Sequence, residues 1–368
     1  MKKFSFFLNC AATVLFAVAL TACQQVKDNP SGEDNPAKQT IEIKNGDELA
    51  TIINQLAATA GDDIIVEIPA GIGTVYTGEI VVPAGKNLTI AGKGDVTIIP
   101  TASIVFGKGL TVKGVCFECN DFKNHLFVAT KTPAEDLKIE SGEYFIKDPV
   151  VFDDIVVKNL SKCFFYDQDS KLAFANFTMN NCIVNWKSLS NVAFNFNKSI
   201  AINFNLTNNT FYCLAGGTGN FIGMHGNEPK KITGFETEIG KFTIQNNTFY
   251  KIAYSSSKML INTNSLKGKP SMDWIIKNNI FWETSGGSKK IYKNITNSSA
   301  AGARVTAADN VYYYDGVYWN ELSLNSDAGI QIDPGFSMPG RGLFHPTNKS
   351  FPTTVGDLRW FEDAAKWQ

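Results

Sequence analysis

Eleven residues, "FTIQNNTFYKI" from Phe242, are written again along this chain with small changes. "FNLTNNTFYCL" starts at Phe204 and "WIIKNNIFWET" at Trp274. A recurring unit constrains the fold more than local propensity does, because each copy must bury its apolar face against the next one. Aligned over the whole chain, the unit is a short strand that ends at Gly, Asn or Asp, followed by a second short strand. "LTIAG" ends at Gly92, "LTVKG" at Gly114, "LKIES" at Ser141, "IVVKN" at Asn159 and "FTMNN" at Asn181. "FNLTN" ends at Asn208, "FTIQN" at Asn246, "WIIKN" at Asn278 and "VTAAD" at Asp309. The intervals between these endpoints run 22, 27, 18, 22, 27, 38, 32 and 31 residues, too irregular for helical repeats.

Inside a unit the apolar residues alternate. Phe242 and Ile244 take one face, Thr243 and Gln245 the other, which is the period of a strand with one buried side. The chain holds 27 Phe with many Ile, Val and Thr, so the copies favour strand over helix. A third strand precedes the first in "HLFVAT" (125–130), "NVAFNFN" (191–197), "NFIGMH" (220–225), "KMLINT" (258–263) and "KIYKNI" (290–295). Three short strands per turn predict an all-β, single-stranded parallel β-helix whose coils stack ~4.8 Å apart. Right-handed crossovers are the expected hand.

The recurrent Asn has two physical uses. It tolerates the left-handed backbone of a sharp corner, and its amide can bond the Asn of the next coil. Asn159, Asn181, Asn208, Asn246 and Asn278, with Asp309, are therefore expected to form a structural ladder. Gly92 and Gly114 meet only the backbone requirement. Ahead of the repeats, Leu49, Ile52, Ile53 and Leu56 fall at helical spacing and Gly61 stops the pattern. A helix here would cover the open end of the stack. Then "IIVEIPAGIGTVYTGEIVVPAGKNLTIAGKG" alternates strand and turn.

This opening resembles the pectin-lyase-like superfamily of right-handed parallel β-helices, and the resemblance covers nearly all of the mature chain as architecture. "DNVYYYDG" (309–316), "IDPGFSMPGRGLFHPTN" (332–348) and "VGDLRW" (355–360) resemble the closing segment of uncharacterised β-helical lipoproteins. Those are associated with glycan-utilisation loci and supply no established catalytic residues.

The first residues point to export. "MKKFSFFLNCAATVLFAVALTAC" has two lysines, an apolar run too short and broken to span a bilayer, and small residues before Cys23. "LTAC" resembles the bacterial lipobox, which implies a signal peptide over 1–22 and lipidation of Cys23. Residues 23–38 hold almost no large apolar side chains and read as a flexible tether. Asp28, Glu33 and Asp34 there resemble surface-export signals. The expected organisation is a β-helix over 39–304 and a C-terminal coil with capping segment over 305–368. The expected location is the outer membrane, lipid-anchored, facing the cell surface or the periplasm. A net charge of −1 argues against nucleic acid as a partner. Five cysteines outside the leader (Cys116, Cys119, Cys163, Cys182 and Cys213) are too scattered and odd in number for a disulfide framework. The Cys-x-x-Cys at 116–119 has no second pair for a metal site.

Chemistry is sparser. Pectate lyases of the resembled superfamily hold calcium with acidic residues and use Arg or Lys as base, while its hydrolases use several Asp. Asp153, Asp154, Asp167 and Asp169 are the candidate catalytic carboxylates here. All three arginines, Arg304, Arg341 and Arg359, lie at or beyond the last coil, which argues against an Arg-base lyase. The resemblance places the carbohydrate groove on the third-strand sheet. That sheet and its flanks bring Lys123, His125, Asn195, Asn197, Asn220, His225, Lys258, Asn262, Lys290 and Lys293. Among these, Lys123, His125, Asn220, Lys258, Asn262 and Lys293 are the candidate glycan-binding residues, suited to an acidic polysaccharide. Tyr312, Tyr313, Tyr314, Tyr318 and Trp319 are a candidate stacking platform. Loops at 213–220, 227–241, 251–258 and 282–290 are expected to form a mobile wall. The first expectation is a lipoprotein that binds a polysaccharide, such as one containing uronic acids, for uptake or degradation with glycan-import proteins of the outer membrane as partners, and with no cofactor. The alternatives are a polysaccharide lyase or glycoside hydrolase, with calcium if a lyase, and a structural or adhesive surface protein.

Overall fold

A computed structural model describes residues 42–140, 142–168, 171–224, 240–254, 258–262, 272–285, 291–293, 304–319, 327 and 329–361, without the side chains of Met272, Tyr292, Lys293 and Arg304. The leader 1–22, Cys23 and the tether lie outside them. Three parallel sheets carry the fold. Sheet I runs through Asp63–Ile68, Asn87–Gly92, Leu110–Lys113, Val150–Asp153, Leu172–Asn180, Ile200–Thr207, Gly240–Gln245, Met272–Lys277 and Arg304–Ala308. Sheet II runs from Gly73–Thr77 to Val311–Tyr314, and sheet III from Ile80–Val81 to Tyr292–Lys293. The chain visits I, II and III in turn, so each coil lies on the one before: a parallel β-helix.

The repeated eleven residues are explained by register. Phe204 pairs with Phe242, and Phe242 with Trp274, on the inward face of sheet I. The Phe242 and Trp274 rings stack 4.2 Å apart. On sheet II, Phe211, Phe249, Phe281 and Tyr312 form a second inward column with centroids 5.3, 5.1 and 5.4 Å apart. Each ring is buried against its copies above and below. Truncating one to Ala leaves a cavity the stack cannot close, a loss of about 3–5 kcal/mol. The helix Leu49–Thr59 packs on the first coil, with Leu49 and Ile53 wholly buried. Glu48 caps it, Oε1 accepting from the Ala50 N–H at 3.2 Å and from the Gly78 N–H of the first coil at 2.6 Å.

The corner register differs from the sequence alignment in one coil. The left-handed corner between sheets I and II falls at Gly114, Asp154, Asn181, Asn208, Asn246, Asn278 and Asp309, with φ between 50° and 63°. Asn159 is not in this series. It lies inside the sheet II strand Val156–Leu160, at a register shift, with its own φ of 59°. "IVVKN" imitates a corner because it too alternates and ends on a residue in the left-handed region. "LKIES" forms no coil. Glu135–Leu137 is a short 3-10 turn, and Tyr144–Ile146 adds a strand beside Leu172–Phe174.

The amide ladder stands one residue further along than expected. Asn209, Asn247, Asn279 and Asn310 are fully buried. Each Nδ2 donates to the Oδ1 of the next, at 3.0, 3.0 and 2.9 Å, and Asn310 ends the column on Asp327 Oδ2 at 2.7 Å. In the pairs Asn208–Asn209, Asn246–Asn247 and Asn278–Asn279 the first residue supplies the backbone and the second the amide. The first column is linked at Asn208, whose Nδ2 donates to Asn181 Oδ1.

Beyond the last coil, Val317–Tyr318 turns back on Val311–Tyr314. The hairpin Phe336–Met338/Leu343–Pro346 then covers the outer face of sheet II. Phe344 sits 5.4 Å from both Tyr212 and Tyr250, and Phe336 sits 5.7 Å from Trp282. A latch fastens it. Asp357 Oδ2 accepts from Thr210 Oγ1 at 2.7 Å and pairs with Arg359 at 2.9 Å, while Trp360 Nε1 donates to Thr210 Oγ1 at 2.6 Å. Burial pushes the Asp357 carboxyl up to about 6, against the opposing pull of Arg359.

Candidate functional site

Outward residues of sheet III line up as Val128, Tyr166, Asn195, Gly223 and Asn262, one per coil. Strands of two or three residues are short here, so the flanking loops rise beside this column. Between them lies a cavity of about 480 Å³. His125, Lys162, Tyr166, Asn195, Asn220 and Lys258 give it its polar lining, and no carboxylate is among the described residues that line it.

Each polar group has a definite state. The His125 ring stacks on Tyr166 at 4.3 Å. Its Nδ1 accepts from the Cys163 N–H at 3.4 Å, so the neutral ring carries its proton on Nε2. Burial, aided by the Lys162 charge, lowers its pKa to about 4. Asn220 Oδ1 accepts from the Met259 N–H at 3.3 Å, which ties two loops together across the cavity wall. Asn195 is different: its Oδ1 is buried and has no hydrogen-bond partner. The Oδ1 of Asn262, two coils further along the same column, is in the same condition. A buried amide oxygen left without a donor is costly, on the order of 1–3 kcal/mol.

The cavity therefore gathers His125, Asn220 and Lys258 from the candidate glycan-binding set. Lys123 is exposed and does not line it. Asn262 lies on the same outward column outside the lining, and Lys293 follows it in register, its side chain lying outside the described residues. His225 and Lys290 also lie outside them. Lys162 and Tyr166 were missed by sequence reasoning. The strand that carries Tyr166, Phe165–Tyr166, is only two residues long and shows no alternation to read, and Lys162 lies in the irregular segment before it.

The three candidate carboxylates among the described residues do not converge. Asp154 is the exposed left-handed corner between sheets I and II, with φ of 50°. Asp153, beside it, accepts from Asn180 Nδ2 at 3.1 Å. Asp167 follows the sheet III strand, at a different corner of the same coil. It is fully buried, and its Oδ2 accepts from the backbone N–H groups of Lys198 and Ser199 at 2.7 and 2.8 Å. It pins the next corner and presents no oxygen to a groove. Asp169 lies outside the described residues. Among the described residues no group of three metal-ligating side chains comes together.

The aromatic cluster divides. Tyr312 belongs to the core column, Trp319 is buried beside it at 4.8 Å, and Tyr313 stacks on Trp282 at 3.9 Å. Tyr314 meets Tyr254 from two coils away, at 5.5 Å. Loop 213–220 bonds to the segments beside it through its backbone. The Gly217 N–H donates to Lys251 O, and the N–H groups of Thr218 and Gly219 donate to Leu189 O. The cysteines are free, and burial pushes the Cys119, Cys163 and Cys182 thiols up to about 12.

Comparison with known families returns two matches of unassigned role. Residues 73–214 match a domain of unknown function, DUF4957, and residues 242–360 match another, DUF5123. The first spans the coils up to the Thr210–Tyr212 strand. The second spans the later coils and ends on Trp360, the latch residue bonded to Thr210. No curated protein and no solved structure matches the chain.

Proposed function

We propose that this chain is a lipid-anchored protein of the outer membrane that binds an acidic polysaccharide in the sheet III cavity and hands it to glycan-import or degrading partners. The observation that carries the reading is the pairing of donors with one orphaned acceptor. Lys162, Lys258 and the Nε2–H of His125 offer positive charge and donors to an anion, and no carboxylate is among the described residues of the lining. The buried Asn195 Oδ1 requires a donor that the protein does not provide. A carboxylate and a hydroxyl on one ligand satisfy both, and that combination is a uronic acid unit. The lipidated Cys23 and the tether rest on the sequence pattern alone, as do the import partners.

The test is affinity electrophoresis of residues 24–368 in gels containing polygalacturonate, alginate or a neutral xylan. Retardation is expected in the acidic gels only, weakened by salt and by Lys258→Ala or Lys162→Ala. It should be flat between pH 5 and 8, because His125 stays neutral down to about 4. Equal retardation in the neutral gel, or no effect of either lysine change, overturns the reading. Release of unsaturated or reducing ends would make the protein an enzyme.

A further inference from the structure

Two loops that wall the cavity also carry an aromatic pair beyond it. Loop 213–220 ends at Asn220 in the cavity and begins beside Leu214, which is 39% exposed. Loop 251–258 ends at Lys258 in the cavity and carries Tyr254, which is 37% exposed. Large apolar side chains with this much exposure are few among the described residues, and each of these two loops carries one.

The seat of Tyr254 is built. Its N–H donates to Gly217 O at 2.6 Å. Its ring lies on Gly216, which has a left-handed φ of 82°; a Cβ there would come within 3.0 Å of Tyr254 Cδ1. A side chain at Gly219 would collide with the Asn191 carbonyl on the cavity wall. The "GGTGN" segment thus serves two neighbouring places: Gly216 and Gly217 hold the ring, and Gly219 with Asn220 shapes the cavity. Tyr314 completes the pair, its ring centroid 5.5 Å from that of Tyr254 and tilted by 54°. Lys251, Glu283 and Tyr314 are successive rungs at this corner, the N–H groups of Lys251 and Glu283 donating to the coil that follows each. Glu283 accepts from the Asp315 N–H at 3.3 Å. The Lys251 ammonium lies over the neighbouring Tyr250 ring at 5.5 Å. A flat ring with a carboxylate on the adjoining rung offers a sugar an apolar face and a hydroxyl partner together.

We propose that Tyr254 and Tyr314 form a second, stacking subsite for the same polysaccharide, so that the bound chain crosses the corner between sheets II and III. This rests on the cavity reading, since continuity with the cavity through the two shared loops is what selects a sugar as the occupant. The cavity then takes the acidic unit and the ring pair takes a unit further along the chain.

Oligogalacturonides of increasing length, from one unit to six, titrated against residues 24–368 by calorimetry, separate the two sites. The wild-type protein should gain affinity stepwise once the oligomer reaches the rings. Tyr254→Ala should cost roughly five- to tenfold with long oligomers and nothing with the shortest, while Tyr254→Phe keeps the gain. Lys258→Ala should weaken every length alike. If Tyr254→Ala leaves long and short oligomers equally affected, or unaffected, the second subsite is wrong while the cavity stands. If Lys258→Ala changes nothing, or no oligomer binds, the cavity reading falls and the subsite with it.

Discussion

Asparagine occupies two settings in this molecule, and they treat the same amide in opposite ways. At the corner between sheets I and II, Asn209, Asn247, Asn279 and Asn310 are wholly buried, and each Nδ2 and Oδ1 is bonded to the coils around it. On the outer face of sheet III, Asn195 and Asn262 are half-buried, and each keeps a buried Oδ1 with no hydrogen-bond partner among the described residues. The first arrangement repeats with the coil and stabilises it. The second costs the fold, and on the proposed reading a ligand donor offsets that cost. Composition cannot separate the two, because both are Asn in strand-rich sequence. The hydrogen-bond inventory can.

The sharpest way to break this contrast is Asn247→Ala. It removes the acceptor for the Asn209 N–H and Nδ2, at 3.0 Å each, and the donor for Leu206 O and Gln245 O. Several groups are orphaned in a dry column, so a loss of about 3 kcal/mol or more is expected. Chemical denaturation with urea reads it as a lower midpoint. A midpoint within error of the wild type would show that the column contributes nothing.

The latch sets the next effect. The Asp357 carboxyl is raised from 3.8 to about 6, so the folded state holds its proton more tightly than the unfolded chain does. Its contribution favours the fold fully below about 3.8 and is lost as pH rises through about 6. The difference between pH 4 and 7.5 is on the order of 2 kcal/mol. Asp357→Asn should remove that part of the pH dependence of stability, leaving a flatter profile above pH 4. A profile parallel to the wild type would mean that Asp357 does not titrate in this window. The latch also joins the two family matches, since Asp357 and Trp360 close on Thr210.

Much of the fold was legible because a β-helix writes its register into the sequence. Phe204, Phe242 and Trp274 stack in space as they align in text. The third-strand segments from "HLFVAT" onward all fall on sheet III. The alignment failed at Asn159, where a strand irregularity carries the same left-handed residue as a true corner. The site was less legible. His125, Asn220 and Lys258 were readable as outward polar positions, but their convergence depends on how far loops 213–220 and 251–258 reach, which no periodicity encodes. Asp167 looked like a loop carboxylate because a sequence does not reveal which backbone N–H groups a turn leaves to be capped.

A smaller effect separates the two members of each "NN" pair. Asn246 has φ of 55° at the corner. Ala tolerates the left-handed region less well than Asn, at about 1 kcal/mol, whereas Gly accepts the conformation freely. Asn246→Gly should therefore lie near the wild type in thermal melting and Asn246→Ala below it. At position 247 both substitutions should be equally damaging, because there the amide matters and the backbone does not. Equal losses for Gly and Ala at 246 would place the importance of that residue in its side chain, through the bond from its Nδ2 to Thr354 O at 2.5 Å.

The smallest change in stability should come where the functional reading is concentrated. Asn195→Ala removes an Oδ1 that has no partner, so folding loses no bond through that atom and sheds the cost of burying it. Stability should stay within about 0.5 kcal/mol of the wild type, or rise slightly. Binding should move the other way. If a ligand hydroxyl supplies the missing donor, the substitution costs roughly five- to tenfold in affinity for acidic oligosaccharide. An Asn whose loss leaves the melt unchanged and weakens binding is maintained for the ligand. The reverse outcome, a destabilised protein with unchanged affinity, would mean that Asn195 serves the coil as Asn247 does, and the distinction between the two settings would collapse.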